Sequence, residues 1–531
     1  MGANPLGEPR SAGKRLTKFS RQGVSSFAPR SERSLGSGLR PSVAATTPDL
    51  LPSLVPSAGK SNCNETPIHV LKFGGTSMGS ESSIRNVISI IADSARKSAL
   101  VVVVSAMSGV TDRLVDAIRA AENRESATVA DVFRDLRAKH SAVADALVNS
   151  DTLRIRFISE MILRFGICEQ LCCEAMLTGR MSPAARDYVL GSGECQAAPL
   201  LAVVLLESGV PAQAIEATRL VVTDSNHGAA RPIMGDTRQA CRDHLLPLVS
   251  DNVVPVVTGF VGATSQGAPT TLGRGGSDYS ATIIGAAVGA EEVTIWTDVD
   301  GMMTADPRIV PGASVIPEIS YADATRLAFF GAKVLHSKTL EALGASGVPV
   351  SIRNTFAPAS SGTRITRSGP SVPRGVTAIA ATTSVALFRL GALPGLDLSS
   401  LSRRASAALS RASADLLVMS SSESKKQALI VVSEATAKAA SAELSCEFIR
   451  DLAGMPHRIT PEPVGLITLV GSSLARTAHH LKEKLGAPGA AAIAHSLSSD
   501  ESTFTIVVRK EDIEKSVAAI HEETRFWRTA S

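Results

Sequence analysis

The most constraining stretch of this chain is an apolar run that stops at two glycines. Ile68, His69, Val70, Leu71, Lys72 and Phe73 read as a strand, and Gly74, Gly75, Thr76 and Ser77 read as a turn. Ile84, Val87, Ile88, Ile91 and Ala95 then recur at helical spacing, with Ser80 placed to cap that helix and Glu81 suited to its first turn. A strand that ends in glycines ahead of a helix lets backbone N–H groups approach a bound anion, and the helix N-terminus adds partial positive charge. Lys72, charged in an otherwise apolar strand, can reach phosphate oxygens from there. Taken alone, the glycine pair is equally a plain strand-to-helix turn.

The arrangement repeats. Leu100–Val104 is a buried strand by composition, and Ser105 through Thr111 form a turn of small and hydroxylated residues. Val253–Val261 reads as one further strand. Thr270, Thr271 and Leu272 lead into Gly273, Arg274, Gly275, Gly276, Ser277 and Asp278, ahead of a helix carrying Ile283, Ile284, Ala287 and Val288. Val293–Trp296 forms the next strand and leads to Thr297 and Asp298. Strands alternating with helices predict an α/β fold: a mostly parallel sheet covered by helices on both faces. Ligands of such sheets bind beyond the carboxyl ends of the strands. Lys72, Ser105, Arg274 and Asp298 all lie at such ends, so they are expected to converge.

Five segments in order, Lys72-Phe-Gly-Gly-Thr-Ser77, Gly193-Glu194, Leu272-Gly-Arg-Gly-Gly-Ser-Asp278, Trp296-Thr-Asp298 with Asp306-Pro-Arg308, and Phe330-Gly-Ala-Lys-Val-Leu-His336, resemble the aspartokinases of the amino-acid kinase superfamily. Gly362-Thr363 matches the close of that family's catalytic domain, and the likeness is strong over residues 66–370. The resemblance implies transfer of the γ-phosphoryl of ATP to the β-carboxylate of L-aspartate, a first step toward lysine, threonine, methionine and isoleucine. It implies roles as well. Lys72 would bind the β- and γ-phosphates, with Gly74, Gly75, Thr76 and Ser77 cradling phosphate. Arg274 would hold the substrate α-carboxylate and Glu194 its α-ammonium. Ser105 and Thr111, with the loop residues Gly275, Gly276 and Ser277, would contact the substrate. Asp278 would orient Lys72 or the substrate. Thr297, Asp298, Met303, Arg308 and Lys333 would bind the nucleotide, with Mg²⁺ held mainly by phosphate oxygens and water; no metal site made of protein ligands alone is expected. A carboxylate with an unperturbed pKa of about 3.9 is already ionised at neutral pH, so no general base is required, and His336 is expected to be structural. Met303 stands where the family often has an aromatic residue, and Ser337 where a proline is frequent.

Composition excludes some classes. Hydrophobic residues make up 44% and charged residues 20%, as in ordinary globular proteins. No apolar run approaches the roughly 18 residues of a membrane span. The formal charge of +4 is uneven: residues 1–60 hold nine Lys/Arg and three Asp/Glu, a net +6, which leaves −2 for the remainder. A near-neutral body gives no reason to expect nucleic acid. Residues 1–64, rich in Ser and Arg and poor in acids, have the composition of an organelle transit segment. Together with the family likeness this points to a plastid, and otherwise to the cytoplasm. The seven cysteines include no C-x-x-C pair and are expected as thiols in a reducing compartment.

Residues 66–366 are expected as the catalytic domain, followed by a linker at Arg367–Pro373. Short strand–helix–strand blocks then appear at Val376–Ala381, Val385–Arg389, Leu398–Leu409, Asp415–Met419 and Ala428–Val432. A second series occupies Val464–Val470, Ala475–Leu485, Ala490–His495, Phe504–Val508 and a helix from Glu511. The series resemble paired βαββαβ ACT domains, at 376–455 and 464–531, which can interleave in the chain. Ser420–Ser422 with Glu423 resemble that module's serine-rich strand end, whereas Gly391-Ala-Leu-Pro-Gly-Leu-Asp-Leu398 is not the usual glycine-rich effector loop. The likeness implies lysine or threonine as effector and a homodimer or larger assembly. No dinucleotide-binding Gly-x-Gly-x-x-Gly segment follows, so a monofunctional kinase is expected. Two alternatives stay open: a non-catalytic amino-acid sensor on a dead kinase fold, and a kinase for another acidic amino acid.

Overall fold

The structure is a computed structural model describing residues 67–331, 335–344, 346–370, 375–391, 396–422, 426–449, 459–485 and 492–524. The transit-like segment and Lys333 lie outside the described residues, as do Glu423 and the centre of the 391–398 loop. In chain order the first part runs β1 (Ile68–Phe73), α1 (Glu81–Ala95), β2 (Ala99–Val104), α2 (Val110–Glu122), α3 (Ser126–Leu147), α4 (Asp151–Thr178), α5 (Pro183–Glu207), β3 (Ala212–Ile215), β4 (Val222–Thr223) and α6 (Met234–Ser250). It continues with β5 (Val254–Thr258), β6 (Val261–Thr264), β7 (Pro269–Thr271), α7 (Gly276–Val288), β8 (Glu292–Thr297), β9 (Glu318–Ser320), α8 (Tyr321–Phe329), α9 (Ser337–Glu341), β10 (Val350–Asn354) and β11 (Thr363–Thr366).

Eight of these strands form one sheet in the order β3-β5-β2-β1-β8-β10-β11-β9. Every pairing in it is parallel except β10 with β11. Parallel strands buried on both faces require continuous apolar runs, and Leu100–Val104 supplies one, with each side chain at most 3% exposed. One face packs in a cluster with α1–α5, and the other packs with α7 and α8. Ser80 caps α1 through the Ser83 N–H, as expected.

Two expectations need correction. Val253–Val261 is not one strand: it breaks at Gly259-Phe260 into β5 and β6. Phe260 takes a left-handed backbone, φ 68°, with its N–H on Ser280 Oγ and its carbonyl accepting from Leu272. Such a conformation costs a non-glycine residue about 1–3 kcal/mol and persists only where neighbours hold it. Helix α5 is also long and apolar enough, by length and composition, to cross a membrane. Here it is a core helix: 83% of its most apolar window is buried within the fold.

The second part contains β12 (Val376–Gly391), α10 (Leu398–Arg411), β13 (Leu416–Ser422), β14 (Gln427–Ser433), α11 (Ala437–Phe448), β15 (Glu462–Gly471), α12 (Ala475–Leu485), β16 (Ala492–Leu497), β17 (Thr503–Arg509) and α13 (Ile513–Glu523). These strands form a six-stranded antiparallel sheet in the order β13-β14-β12-β15-β17-β16. The blocks expected separately at 376–381 and 385–389 are one strand with a register shift between Thr382 and Val385. Its two halves serve different cores. Val376 and Ile379 pack with α12 and α13, whereas Ala386, Phe388 and Leu390 pack with α10 and α11. Ala305 and Val310, from the segment after β8, belong to the α12–α13 cluster. The Ile379 N–H donates to the Thr304 carbonyl at 2.9 Å.

Candidate functional site

The carboxyl ends of β1, β2 and β7 open into a cavity of about 540 Å³. Ten of the expected residues line it: Lys72, Gly75, Ser105, Thr111, Glu194, Arg274, Gly275, Gly276, Ser277 and Asp278. They come from four separate chain segments: adjacent parallel strands β1 and β2 deliver two turns to one edge of the large sheet, β7 of the separate three-stranded sheet leads into the Arg274 loop, and α5 carries Glu194. The Ser105 N–H donates to the Phe73 carbonyl at 3.0 Å and the Ser108 N–H to the Gly75 carbonyl at 3.1 Å, which locks the first two turns side by side.

Lys72 is 7% exposed, and its Nζ lies 2.5 Å from Asp278 Oδ1. Asp278 sits in the first turn of α7, where a carboxylate is favoured by the helix N-terminus. A β-carbon on Gly74 would stand 3.6 Å from Lys72 Nζ, and one on Gly75 3.1 Å from the Ala106 carbonyl, so the glycines leave the ammonium approachable. Arg274 is exposed at the cavity wall, and no ion pair to it is found among the described residues.

Glu194 lies in the middle of α5 and is 4% exposed. Burial pushes its carboxyl up to about 7, against the lowering effect of its bonds to the Ala106 backbone and Ser277 and of the nearby Lys72 charge. Its Oε2 has no hydrogen-bond partner among the described residues. A buried carboxylate oxygen left open toward a cavity is a receptor for a cation.

The remaining expected residues lie outside this lining. Thr76 is exposed. Ser77 is fully buried with its hydroxyl bonded to Thr355 Oγ1 at 2.7 Å, so its side chain is committed to the fold. Thr297 ends β8 beside β1 and Asp298 follows it; there the Gly74 N–H donates to the Trp296 carbonyl at 3.0 Å and Thr297 Oγ1 donates to Asp298. Met303 bridges to Val315. The Arg308 guanidinium makes a bidentate pair with Asp306, at 3.0 and 2.6 Å. His336 caps α9 through the Lys338 N–H, and burial, Lys338 and Arg274 hold its pKa below the usual value.

Asp187 was not singled out from the sequence. It lies on α5 two turns before Glu194 and is 1% exposed. It accepts from Thr271 Oγ1 at 2.7 Å, His227 Nδ1 at 2.8 Å and the Gly228 N–H at 3.1 Å. Thr271 and Gly228 both line the cavity, as does Phe260. The signal available was spacing: seven residues on a helix put Asp187 and Glu194 on one face.

Residues 67–354 match the amino acid kinase family. The chain is 31% identical over 477 residues to the chloroplastic bifunctional aspartokinase/homoserine dehydrogenase 1 of Arabidopsis thaliana, an alignment covering 87% of this chain and 51% of that protein. It thus spans about half the length of the bifunctional relatives it matches. Lysine-sensitive aspartokinase 3 of Escherichia coli K12 is 29% identical over 457 residues, 86% of this chain and 98% of that one. The solved structure of E. coli aspartokinase III in complex with aspartate and ADP superposes with a TM-score of 0.72 at 27% identity, covering 86% of this chain and 99% of the other. With more than half of its 531 residues inside the matched span, and with every residue that lines the strand-end cavity inside it, the chain belongs to the amino acid kinase family.

Proposed function

We propose that this chain is an aspartate kinase, converting ATP and L-aspartate to 4-phospho-L-aspartate and ADP. The observation that carries the reading is the charge layout of one cavity. Arg274 offers an exposed cation for an α-carboxylate, Glu194 offers a buried carboxylate oxygen without a hydrogen-bond partner among the described residues for an α-ammonium, and Lys72, paired with Asp278, lines the same cavity as a cation for phosphate. A dead kinase fold has no physical need for this set. The aspartate and ADP of the E. coli structure, and the aspartokinase names of the relatives, support the same reading.

In the reaction a β-carboxylate oxygen of aspartate forms a bond to the γ-phosphorus as the bond to the ADP oxygen breaks. Two anions must be brought together, so positioning and positive charge do the catalysis. Lys72, oriented by Asp278, meets charge on the transferring group. Arg274 grips the α-carboxylate through its planar fork, and Glu194 fixes the amino end, which sets the β-carboxylate in line. Mg²⁺ would arrive on the nucleotide, held mainly by phosphate oxygens and water, and would supply neutralisation of phosphate charge there. Thr297, Asp298 and Met303 are read as the nucleotide side, with Arg308 joining once it leaves Asp306.

Residues 66–366 are read as the catalytic domain and the six-stranded sheet as paired ACT modules with lysine or threonine as effector. Lysine is the ligand of a T-state E. coli structure. A homodimer or larger assembly and a plastid address, as in the chloroplastic relatives, complete the reading. The test is a hydroxylamine-trapping assay on the full chain with ATP, Mg²⁺ and L-aspartate, beside Lys72→Ala. Aspartate-dependent hydroxamate that disappears in the variant supports the proposal. Product with glutamate and none with aspartate transfers the reading to another acidic acceptor, and no product with any acceptor favours the sensor.

A further inference from the structure

We infer that Asp187, with His227, is a positioning residue that sets the affinity for the acceptor amino acid by holding the Arg274 loop in place. The inference rests on the aspartate-kinase reading and extends it to residues that touch no substrate.

An ionised carboxylate only accepts, so the three groups around Asp187 all donate to it: the Thr271 hydroxyl, the His227 Nδ1–H and the Gly228 N–H. These donors belong to two different segments. Thr271 is the last residue of β7, three positions before Arg274. His227 and Gly228 belong to the 224–231 loop, which is closed on itself: Asp224 Oδ1 accepts from the Asn226 and Arg231 N–H groups, and the Arg231 carbonyl accepts from the Asp224 N–H. The two segments then meet directly. The Ala230 N–H donates to the Thr271 carbonyl at 2.9 Å, and Gly273, at φ 81°, lies so near the Gly228 carbonyl that a β-carbon there would be 3.0 Å from it. The far side of the loop is walled by His336, whose Cβ would be 2.6 Å from a β-carbon on Gly275. Arg274 therefore projects from a backbone clamped on both sides, and Asp187 anchors the inner clamp to α5. That helix also carries Glu194. One rigid element thus fixes both ends of the proposed substrate cradle, the ammonium receptor directly and the carboxylate receptor through Asp187. Such a site has less ordering to do when ligand binds.

The test is steady-state kinetics on the full chain for Asp187→Asn and His227→Gln, with a thermal melt of each. Asparagine keeps the size but offers one acceptor where three donors converge. Losing a bond to a buried charged group predicts a KM for aspartate about ten-fold higher in Asp187→Asn and about three-fold higher in His227→Gln. The KM for ATP and kcat should stay within about two-fold, because Lys72 and the nucleotide side are untouched. An unchanged KM for aspartate in both variants overturns the inference while leaving the kinase reading intact. So does a parallel rise of both KM values with a lowered Tm, which is the mark of a merely structural carboxylate. If Asp187→Asn does not fold, Thr271→Val takes its place beside His227→Gln, with the same outcomes. A wild-type chain that phosphorylates no aspartate removes the reading and the inference together.

Discussion

Lys72 at the end of β1 and Asp278 in the first turn of α7 form an ion pair of 2.5 Å with side chains only 8% and 17% exposed. A pair so shielded from water is oriented as much as stabilised: each partner dictates where the other points. Asp278→Asn keeps the shape and removes the charge, and its expected effect is a fall in kcat of about 100-fold together with a lowered Tm, because Lys72 is left as a buried charge without its partner. Rapid-quench measurement of the phosphoryl-transfer step checks it; a kcat within a few-fold of wild type would release Asp278 from this role.

Glu194 makes a paired prediction about pH. Its folded carboxyl is raised to about 7 by burial, whereas the unfolded value is about 4.3. Between these values the folded state holds a proton that the unfolded state has lost, so stability falls as pH rises through this window and the loss is complete above about 7. Glu194→Gln should therefore melt above wild type at pH 8, with the difference closing toward pH 5. Only the ionised form receives an ammonium group, so the wild-type KM for aspartate should fall as pH rises from 6 to 8, and Glu194→Gln should lose aspartate binding throughout. Melting curves and a KM profile over that range read both effects.

Gly275 is the N-cap of α7 at φ 71°, and its missing side chain leaves room for His336. Gly275→Ala adds both a left-handed strain of about 1–2 kcal/mol and a clash. The expected result is a folded protein with a lowered Tm and a KM for aspartate raised more than that for ATP, because the displaced residue adjoins Arg274. Equal effects on both substrates would place the disturbance elsewhere.

The segment after β8, proposed as the nucleotide side, is tied to the C-terminal sheet. Thr304 accepts from the Ile379 N–H and its hydroxyl lies 3.2 Å from His521 Nε2, both side chains being buried. Ile379→Ala leaves a cavity in the cluster shared by Ala305, Val310, α12 and α13. The expected cost is about 2–4 kcal/mol of stability, with a KM for ATP that rises while that for aspartate holds. Differential scanning calorimetry and kinetics in parallel decide it.

The local chemistry of the site was legible in the chain. A glycine pair after an apolar strand, a lysine inside that strand and an arginine between glycines need no partner to be read, because turn geometry and strand burial are set within a few residues. Ser80 as cap and the alternation that implies a parallel sheet are of the same kind. By itself, then, the sequence determined the strand-to-helix turns and the chemical types they carry, whereas the expected meeting of Lys72, Ser105, Arg274 and Asp298 at one parallel sheet holds only in part: Arg274 follows β7 of a separate sheet and Asp298 lies outside the cavity lining.

The tertiary structure decided what depends on distant partners. It split Val253–Val261 at Phe260, because Ser280 and Leu272 hold a backbone that no local preference favours. It joined two expected strands into β12 by pairing them with β15 along most of their length. It committed Ser77 to Thr355, far along the chain. It also made Asp187 an anchor, since the three donors it receives arrive from other segments of the chain. Hydrogen-bond satisfaction inside a buried core is a sum over the whole fold, and a single chain segment carries only one side of it.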